Sequence, residues 1–131
     1  MVVLDTNIII DHLRLNQVKQ SVLQKLIDIS LDKDLAISVI SLQELYTRQS
    51  TRILQNELYM LSVLSKIKVL SYNNEVSKFA GKLCRDSKLN ISFADCAIAS
   101  TAILNNSPLL TLNTKHFNGI DGLELFEFEE D

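Results

Sequence analysis

The sequence predicts an α/β fold in which helices cover both faces of a short, mostly parallel central sheet. Apolar runs of strand length alternate with longer segments of helical periodicity along the 131 residues, a pattern typical of parallel sheets. This length suits one domain, which buries roughly 65–70% of its unfolded surface. Apolar residues make up 47% of the chain, with three Gly and one Pro, and this composition excludes a disordered chain. We therefore expect a single three-layer α/β/α domain over residues 1–131.

The first half of the chain predicts two strands and two helices. Residues 2–4 are an apolar run of strand length, and residues 35–40 are a second run rich in β-branched side chains. Between them, the segment 17–31 has a helical face. That face consists of Val18, Val22, Leu26 and Ile29. A long helix from 41 to about 65 has a leucine face that we expect to pack mostly in the core, although part of it suits a partner. That face consists of Leu54, Leu58, Leu61 and Leu64.

The second half continues the alternation of strands and helices. Residues 67–70 and 109–112 predict a third and a fourth strand, and residues 123–128 are compatible with a fifth. The segment 74–88 repeats apolar residues at helical spacing, which predicts an amphipathic helix. The segment 93–105 is apolar on nearly every side, so we expect a buried helix there.

The charge balance argues at first against a nucleic-acid-binding protein, because such proteins are usually basic and the net charge is −3. Five of the acids, however, lie within residues 124–131, and residues 1–123 carry 13 basic against 11 acidic side chains. The chain is therefore a mildly basic body with an acidic tail. Such a body is compatible with RNA, held with modest non-specific affinity.

Other bulk features indicate a cytoplasmic protein without a membrane partner. The sequence opens on an apolar strand without the pattern of a secretory signal, and it contains no run of about 18 apolar residues. Cys84 and Cys96 lie within helical apolar patterns. We expect two reduced core thiols, with a redox pair as the alternative.

Three isolated carboxylates stand out in segments that otherwise lack charge. Asp5 follows the first strand, Glu44 lies about one helical turn after the second, and Asp95 lies in the first turn of the buried helix. Parallel sheets place ligand sites beyond the carboxyl ends of their strands. Burying an unpaired carboxylate costs several kcal/mol, and no Lys or Arg lies in the three segments. A divalent cation such as Mg²⁺ or Mn²⁺, which favours oxygen ligands, is the simplest partner for the three carboxylates.

Each acid also has a simpler interpretation as a helix cap. Ser41 and Glu44 have the spacing of a capping box, Ser92 and Asp95 have the same spacing, and Asp5 is placed to cap a helix that starts at Thr6. Caps explain each acid alone, but they do not explain why all three are isolated from other charges.

Two more polar residues follow the fourth strand. Asn113 occupies the place of a fourth ligand, although a turn or a cap explains it equally well. His116 has no second His or Cys at zinc-like spacing, so we expect a surface or packing role.

These motifs resemble the PIN-domain family, and within it the VapC-type toxin ribonucleases of toxin–antitoxin pairs. The resemblance rests on four motifs: Val-Leu-Asp5-Thr6-Asn7, Ser41-Leu-Gln-Glu44-Leu45, Asp95-Cys-Ala-Ile98-Ala99 and Leu112-Asn113-Thr114-Lys115-His116-Phe117. Their order and spacing fit the family over essentially the whole chain.

The resemblance implies an endoribonuclease that hydrolyses RNA phosphodiester bonds at a Mg²⁺ or Mn²⁺ site. It implies that Asp5, Glu44 and Asp95 bind the metal and that Thr6 and Asn7 support the first acid. The family often has Asp where this chain has Asn113, which leaves a second metal position open. The resemblance also implies a homodimer and a cognate VapB-like antitoxin.

Some alternatives remain open at this level. The basic face of the helix at 74–88, with Lys82, Arg85 and Lys88, is either a track for RNA phosphates or an ordinary solvated face. The protein as a whole is alternatively a non-catalytic PIN-like module that binds RNA or protein. A phosphoacceptor receiver domain is more remote, because Asp5 is followed by Thr6 and Asn7 rather than by the expected acids.

Overall fold

The computed structural model describes residues 1–15, 18–30 and 33–129. The described strands are β1 (Val2–Leu4), β2 (Leu35–Ser38), β3 (Lys68–Leu70) and β4 (Leu109–Leu110). The described helices are α1 (Thr6–Leu15), α2 (Val22–Ile29), α3 (Val39–Tyr46), α4 (Leu54–Leu64), α5 (Asn74–Asp86), α6 (Phe93–Leu104) and α7 (Thr114–Phe117). A 3₁₀ turn at Gln49–Arg52 connects α3 to α4.

The four described strands form one sheet in the order β3-β2-β1-β4, and every pair is parallel. The predicted α/β class with a short parallel sheet is therefore confirmed. The central strand β1 pairs with β2 through Val3 and Ala36, and with β4 through Leu4 and Leu110. This register fixes which residues stand side by side where the strands end.

Two hydrophobic cores lie on opposite faces of the sheet, because successive side chains of a strand point to opposite faces. Val2 and Leu4 belong to one core, which they share with residues of α1, α2 and α4. Val3 belongs to the other core, together with Ile98 of α6 and Phe117 of α7. The layered α/β/α arrangement follows from this alternation.

Most expected elements are present, with shorter bounds. The strand at 2–4 and the buried helix α6 are confirmed, and residues 96–102 of α6 are all buried. Residues 123–128 do not form a strand of the described sheet, and only an isolated parallel bridge joins Leu125 to Leu109. The helical face predicted over 17–31, of which residues 17 and 31 lie outside the described residues, is only partly correct. Val18 is 90% exposed and precedes α2, and Ile29 is exposed, whereas Leu23 and Leu26 are buried.

The prediction of one long helix from 41 to 65 is wrong. The chain forms α3, a 3₁₀ turn and α4 instead, and Ser38 starts α3 by accepting a hydrogen bond from the Ile40 N–H at 3.1 Å. The prediction that this leucine face packs mostly in the core is wrong for three of its four leucines, because only Leu64 is buried. The exposed row on α4 consists of Leu54, Leu58 and Leu61.

The prediction of two reduced thiols is wrong in the structure, which joins Cys84 of α5 to Cys96 of α6 in a disulfide. The prediction rested on the expected compartment and on helical periodicity, neither of which reports on the distance between two helices. The two Cα atoms lie 6.0 Å apart, within the range that a disulfide spans.

Within the described ranges, none of the helices combines the length and the apolar character needed to cross a membrane.

The start of α6 provides a test of the fold, because this helix carries Asp95. Ser92 is its N-cap, and its hydroxyl accepts a hydrogen bond from the Asp95 N–H at 3.1 Å. We predict that Ser92→Ala lowers the free energy of unfolding by about 1 kcal/mol, the usual effect of removing such a cap. Urea unfolding measures it. Ser92→Asn keeps an acceptor and should remain near wild type, and equal stability of the Ala and Asn variants would contradict the capping role.

Candidate functional site

The three acids are positioned by three different elements at the carboxyl-terminal edge of the sheet. Asp5 is the residue after β1, Glu44 lies within α3, and Asp95 is the third residue of α6. The α3 helix begins directly after β2. In α/β proteins, ligands bind at the edge of the sheet where the parallel strands end and the following helices begin.

Asp5 is fixed from both sides of its carboxylate. It is only 5% exposed. Oδ1 accepts a hydrogen bond from the Thr6 N–H at 2.8 Å, and Oδ2 accepts one from the Thr111 hydroxyl at 2.7 Å. Since Leu4 stands beside Leu110 in the register of β1 and β4, Thr111 necessarily follows next to Asp5. The two parallel strands thus place an acid and a hydroxyl donor side by side.

The environment of Asp5 disfavours its charged form. Burial raises the pKa of the Asp5 carboxyl from 3.8 to about 6, the hydrogen bond from Thr111 opposes this rise, and the negative charges of Asp95 and Glu44 add to it. The negative charges of the other two acids therefore reach Asp5, as expected for a carboxylate with like charges nearby. Asp5 also accepts from the Thr6 N–H, the first of α1, whereas a capping side chain accepts from the second or third N–H of its helix, so this bond is not the predicted cap.

Glu44 is held by a hydroxyl and does not belong to a capping box. Thr6 Oγ1 lies 2.7 Å from Glu44 Oε1 and 2.8 Å from Ser41 Oγ. A carboxylate only accepts, so the Thr6 hydroxyl donates to Glu44 and accepts from Ser41. The capping box predicted at Ser41 is wrong. It requires a helix that starts at Leu42, whereas α3 starts at Val39 with Ser38 as its N-cap. The helix therefore presents Glu44 to Thr6 from its interior rather than from its first turn.

Asp95 lies close to His116, for which the sequence predicts only a surface or packing role. Its carboxylate Oδ2 is 3.6 Å from His116 Nδ1 at the end of the chain segment that follows β4. His116 is 61% exposed, which agrees with the expected surface position, but this surface borders the acids. The signal available in the sequence was the place of His116 shortly after a strand end, which the search for zinc-like spacing did not weigh.

The other expected polar residues surround Thr111. The Asn7 amide lies 3.5 Å from Thr111 Oγ1 and its carbonyl oxygen accepts from the Leu112 N–H at 3.3 Å. The Asn113 N–H donates to Thr111 Oγ1 at 3.0 Å. Asn113 precedes α7 without a side-chain capping bond, so the cap interpretation is wrong for its side chain. Sequence reasoning missed Thr111 because the predicted fourth strand ran to residue 112, whereas β4 ends at Leu110 and Thr111 is the first residue after it.

The basic residues Lys82, Arg85 and Lys88 lie apart from these contacts. Arg85 pairs with its neighbour Asp86, with Nε 2.7 Å from Oδ1 and Nη2 2.8 Å from Oδ2. Lys82 and Lys88 line a cavity of about 530 Å³ at the end of α5. In the described part of the chain, no hydrogen bond or ion pair joins the three cations to Asp5, Glu44 or Asp95.

The donor chemistry of the site suits a hard cation, although the acids do not form a closed ligand set. Over residues 1–15, 18–30 and 33–129, no group of three or more His, Cys, Asp or Glu side chains is arranged to hold a metal ion. Mg²⁺ usually takes one or two protein carboxylates and keeps several waters, so it does not need such a group. The buried carboxylate of Asp5, destabilised by two neighbouring negative charges, is the observation that fits a cation.

Comparison with known families decides the relationship. The family model of the PIN domain matches residues 2–123. The chain belongs to the PIN domain family.

Solved structures share this PIN fold over nearly the whole chain. A chain of VapBC2 from Rickettsia felis, bound to a DNA fragment from their promoter, is 28% identical with a TM-score of 0.79, and the match covers 96% of this chain and 98% of that one. A chain of VapBC-1 from nontypeable Haemophilus influenzae is 26% identical with a TM-score of 0.73, and 97% and 98% are covered. DNA-bound VapBC from Salmonella typhimurium has a TM-score of 0.81, with 95% and 96% covered, and at 20% identity it supports the fold alone. A search of curated proteins found no match.

The predicted resemblance to VapC-type PIN proteins is thereby confirmed, and the receiver-domain alternative is removed. Within the PIN fold of this chain, the first and second motifs meet through Thr6, and the first and fourth meet through Thr111. The third and fourth motifs meet where Asp95 approaches His116.

The raised pKa of Asp5 leads to a prediction about stability. The folded-state pKa of about 6 exceeds the ordinary value of 3.8, so the folded PIN domain binds a proton more tightly than the unfolded chain. The resulting penalty is absent below about pH 4 and fully present above about pH 6. A two-unit shift corresponds to about 3 kcal/mol. We predict that Asp5→Asn stabilises the metal-free protein by about 1–3 kcal/mol at about pH 7.5 and much less at about pH 4.

Urea unfolding in EDTA at the two pH values measures this difference. Asp121→Asn, at an exposed position, is the matched control and should change little at either pH. A loss of stability for Asp5→Asn near neutral pH would show that the hydrogen bonds of the carboxylate outweigh its desolvation.

Thr6 provides a second test, because its hydroxyl is the link between α1 and α3. Thr6→Val keeps the shape of the side chain but leaves Glu44 without a donor and the buried Ser41 hydroxyl without an acceptor. We predict a loss of about 1–3 kcal/mol in the free energy of unfolding. Thr6→Ser should restore most of it. In a double-mutant cycle, Ser41→Ala should cost less in the Thr6→Val background than in wild type, and additive effects would argue against the link.

Proposed function

We propose that this PIN domain is a VapC-like endoribonuclease that hydrolyses RNA phosphodiester bonds with Mg²⁺ or Mn²⁺ and acts as one domain over residues 1–131. The observation that supports the proposal is the position of Asp5, Glu44 and Asp95 at the carboxyl-terminal edge of a parallel sheet, where burial and then the charges of the other two acids raise the pKa of Asp5. A site that concentrates uncompensated negative charge is suited to a cation.

In this proposal each residue has a defined task. Asp5 and Asp95 would bind the metal, and Glu44, whose orientation is set by the Thr6 hydroxyl, would be a third ligand. Thr111 and the Thr6 N–H fix the two oxygens of Asp5. The metal would polarise the phosphoryl oxygens and orient the attacking water.

The fourth motif adds neutral groups to the site. Asn7 and Asn113 support this edge through Thr111, and Asn113 is the candidate fourth ligand.

The substrate would be held by positive charge outside the acidic site. We assign Lys82, Arg85 and Lys88 as phosphate contacts, of which Lys82 and Lys88 are favoured by the structure because Asp86 already pairs with Arg85. Exposed charges of this kind contribute non-specific affinity that falls with salt.

Partners are proposed from the structural relatives, several of which are chains of VapBC complexes and one of which is a toxin–antitoxin complex from Klebsiella pneumoniae. By this relationship the chain would be inhibited by a VapB-like antitoxin, while the homodimer and the cytoplasmic location stay predictions from the sequence. The exposed row on α4, made of Leu54, Leu58 and Leu61, is an apolar surface of the kind that protein partners cover.

A non-catalytic PIN module that binds RNA or protein is the second candidate. It is favoured by one observation, the neutral Asn113 in the position where the family often has Asp. Metal-dependent cleavage separates the two candidates.

We predict that the purified protein cleaves single-stranded RNA with Mg²⁺ or Mn²⁺ but not with EDTA, and that Asp95→Asn lowers the rate on the order of 100-fold. Gel analysis of RNA fragments over time measures the rate. The rate should fall as the pH drops through about 6, because Asp5 becomes protonated there, and higher metal concentrations should shift this fall to lower pH since metal competes with the proton.

Glu127→Gln, at an exposed position outside the acidic site and the basic cavity, is the control and should cleave at the wild-type rate. Cleavage that persists in EDTA, or that Asp95→Asn leaves unchanged, would refute the assigned site. RNA binding without any cleavage would favour the non-catalytic module.

A further inference from the structure

A polar cleft lies on the α1 side of the molecule, between α1, the 3₁₀ turn and α4. Its volume is about 210 Å³. Six polar residues line it together with two apolar ones: Arg14, Arg48, Ser50, Thr51, Asn56 and Tyr59. No acidic residue is among those lining residues that the structure describes.

The two arginines of this cleft have no counter-charge in the described part of the chain. Neither Arg14 nor Arg48 forms an ion pair with a described acid. Arg48 is nevertheless half-buried. Glu57 on the neighbouring turn of α4 does not line the cleft, and its carboxylate accepts a hydrogen bond from the Tyr46 hydroxyl at 2.7 Å. Two like charges that line one cavity without a carboxylate create a site for an anion.

The size and the donors of the cleft indicate which kind of anion it takes. Cavities for whole small molecules usually measure about 300–1,000 Å³, so this cleft suits one anionic group better than a complete metabolite. Guanidinium groups bind phosphate through paired N–H donors. The hydroxyl and amide groups of Ser50, Thr51 and Asn56 are of the types that contact phosphate oxygens in nucleic-acid complexes.

The position of the cleft relates it to the acidic site. Arg14 lies eight residues after Thr6 on the same helix, a distance of about 12 Å along the axis. Arg48 lies four residues after Glu44. A stacked strand advances about 3.4 Å per nucleotide, so the length of α1 between Thr6 and Arg14 corresponds to about four nucleotides. The apolar row of α4 lies outside this cleft, which leaves a protein partner a separate surface.

We propose that this cleft, lined by Arg14 and Arg48, binds a backbone phosphate of the RNA a few nucleotides from the bond at the acidic site. The choice of RNA as the source of the phosphate rests on the proposed function. The cleft positions the strand and takes no part in the chemistry, since phosphate contacts set the register of a nucleic acid without reading its bases.

The test measures RNA binding without cleavage. The full-length protein is titrated into a labelled single-stranded RNA of about 12 nucleotides in EDTA at several salt concentrations, and fluorescence anisotropy gives the dissociation constant. Arg14→Gln and Arg48→Gln should each weaken binding by about 3- to 10-fold, and losing the phosphate contact should reduce the salt slope by about 0.7. Arg48→Lys keeps the charge without the paired donors and should fall between wild type and Arg48→Gln.

Arg52→Gln is the matched control, because Arg52 is exposed on the same 3₁₀ turn and does not line the cleft. It should bind RNA as wild type does. Wild-type binding by both Gln variants of the cleft, or an equal loss for Arg52→Gln, would overturn the proposal. Calorimetry with inorganic phosphate provides the second arm. Phosphate binding that requires Arg48 while RNA binding does not would assign the cleft to a free anion and would also overturn it.

Cleavage assays with Mg²⁺ keep this inference separate from the nuclease proposal. If RNA binding in EDTA depends on the two arginines but no cleavage occurs with metal, the cleft is confirmed and the nuclease fails. If cleavage occurs and the arginines have no effect on binding, the reverse holds.

Discussion

The burial of one carboxylate, Asp5, is the constraint on which the rest of the site depends. Desolvation raises the pKa of its carboxyl, and Asp95 and Glu44 raise it further. Such a group is tolerated because Thr111 and the Thr6 N–H satisfy both of its oxygens. Both donors are consequences of topology, since one begins the helix after β1 and the other ends the adjacent parallel strand. The sheet register therefore sets the chemistry of the site before any ligand is considered.

Hydroxyl groups connect the elements that carry the acids. Thr6 bridges α1 to Glu44 and Ser41 of α3, and Thr111 bridges β4 to Asp5. A short hydroxyl satisfies an acid without neutralising it, whereas Lys or Arg would remove the negative charge. The site thus retains a charge that is unfavourable for the metal-free fold and favourable for a cation, which is a common relation between stability and function.

The fold class and the three acids were predictable from the sequence because they depend on local patterns and on a general rule of parallel sheets. The β1 strand and the buried α6 helix have unambiguous apolar patterns, so their prediction succeeded. The break between α3 and α4 was missed, since the leucines of α4 have helical spacing whether or not they are buried. Periodicity also carries no distance information, which is why the pairing of Cys84 with Cys96 and the approach of His116 to Asp95 became visible only in the structure.

The fourth motif has a neutral side chain, Asn113, and this affects the same electrostatic balance. The Asn113 N–H contacts the same Thr111 oxygen that donates to Asp5, an acid whose pKa is already about 6, although the Asn113 side chain itself is exposed. A fourth negative charge would raise that pKa further and would favour a protonated Asp5 near neutral pH. An amide keeps an oxygen at this edge without that charge. An Asn at this position therefore adds no negative charge to the metal-free site, and it also supplies one carboxylate fewer for a cation.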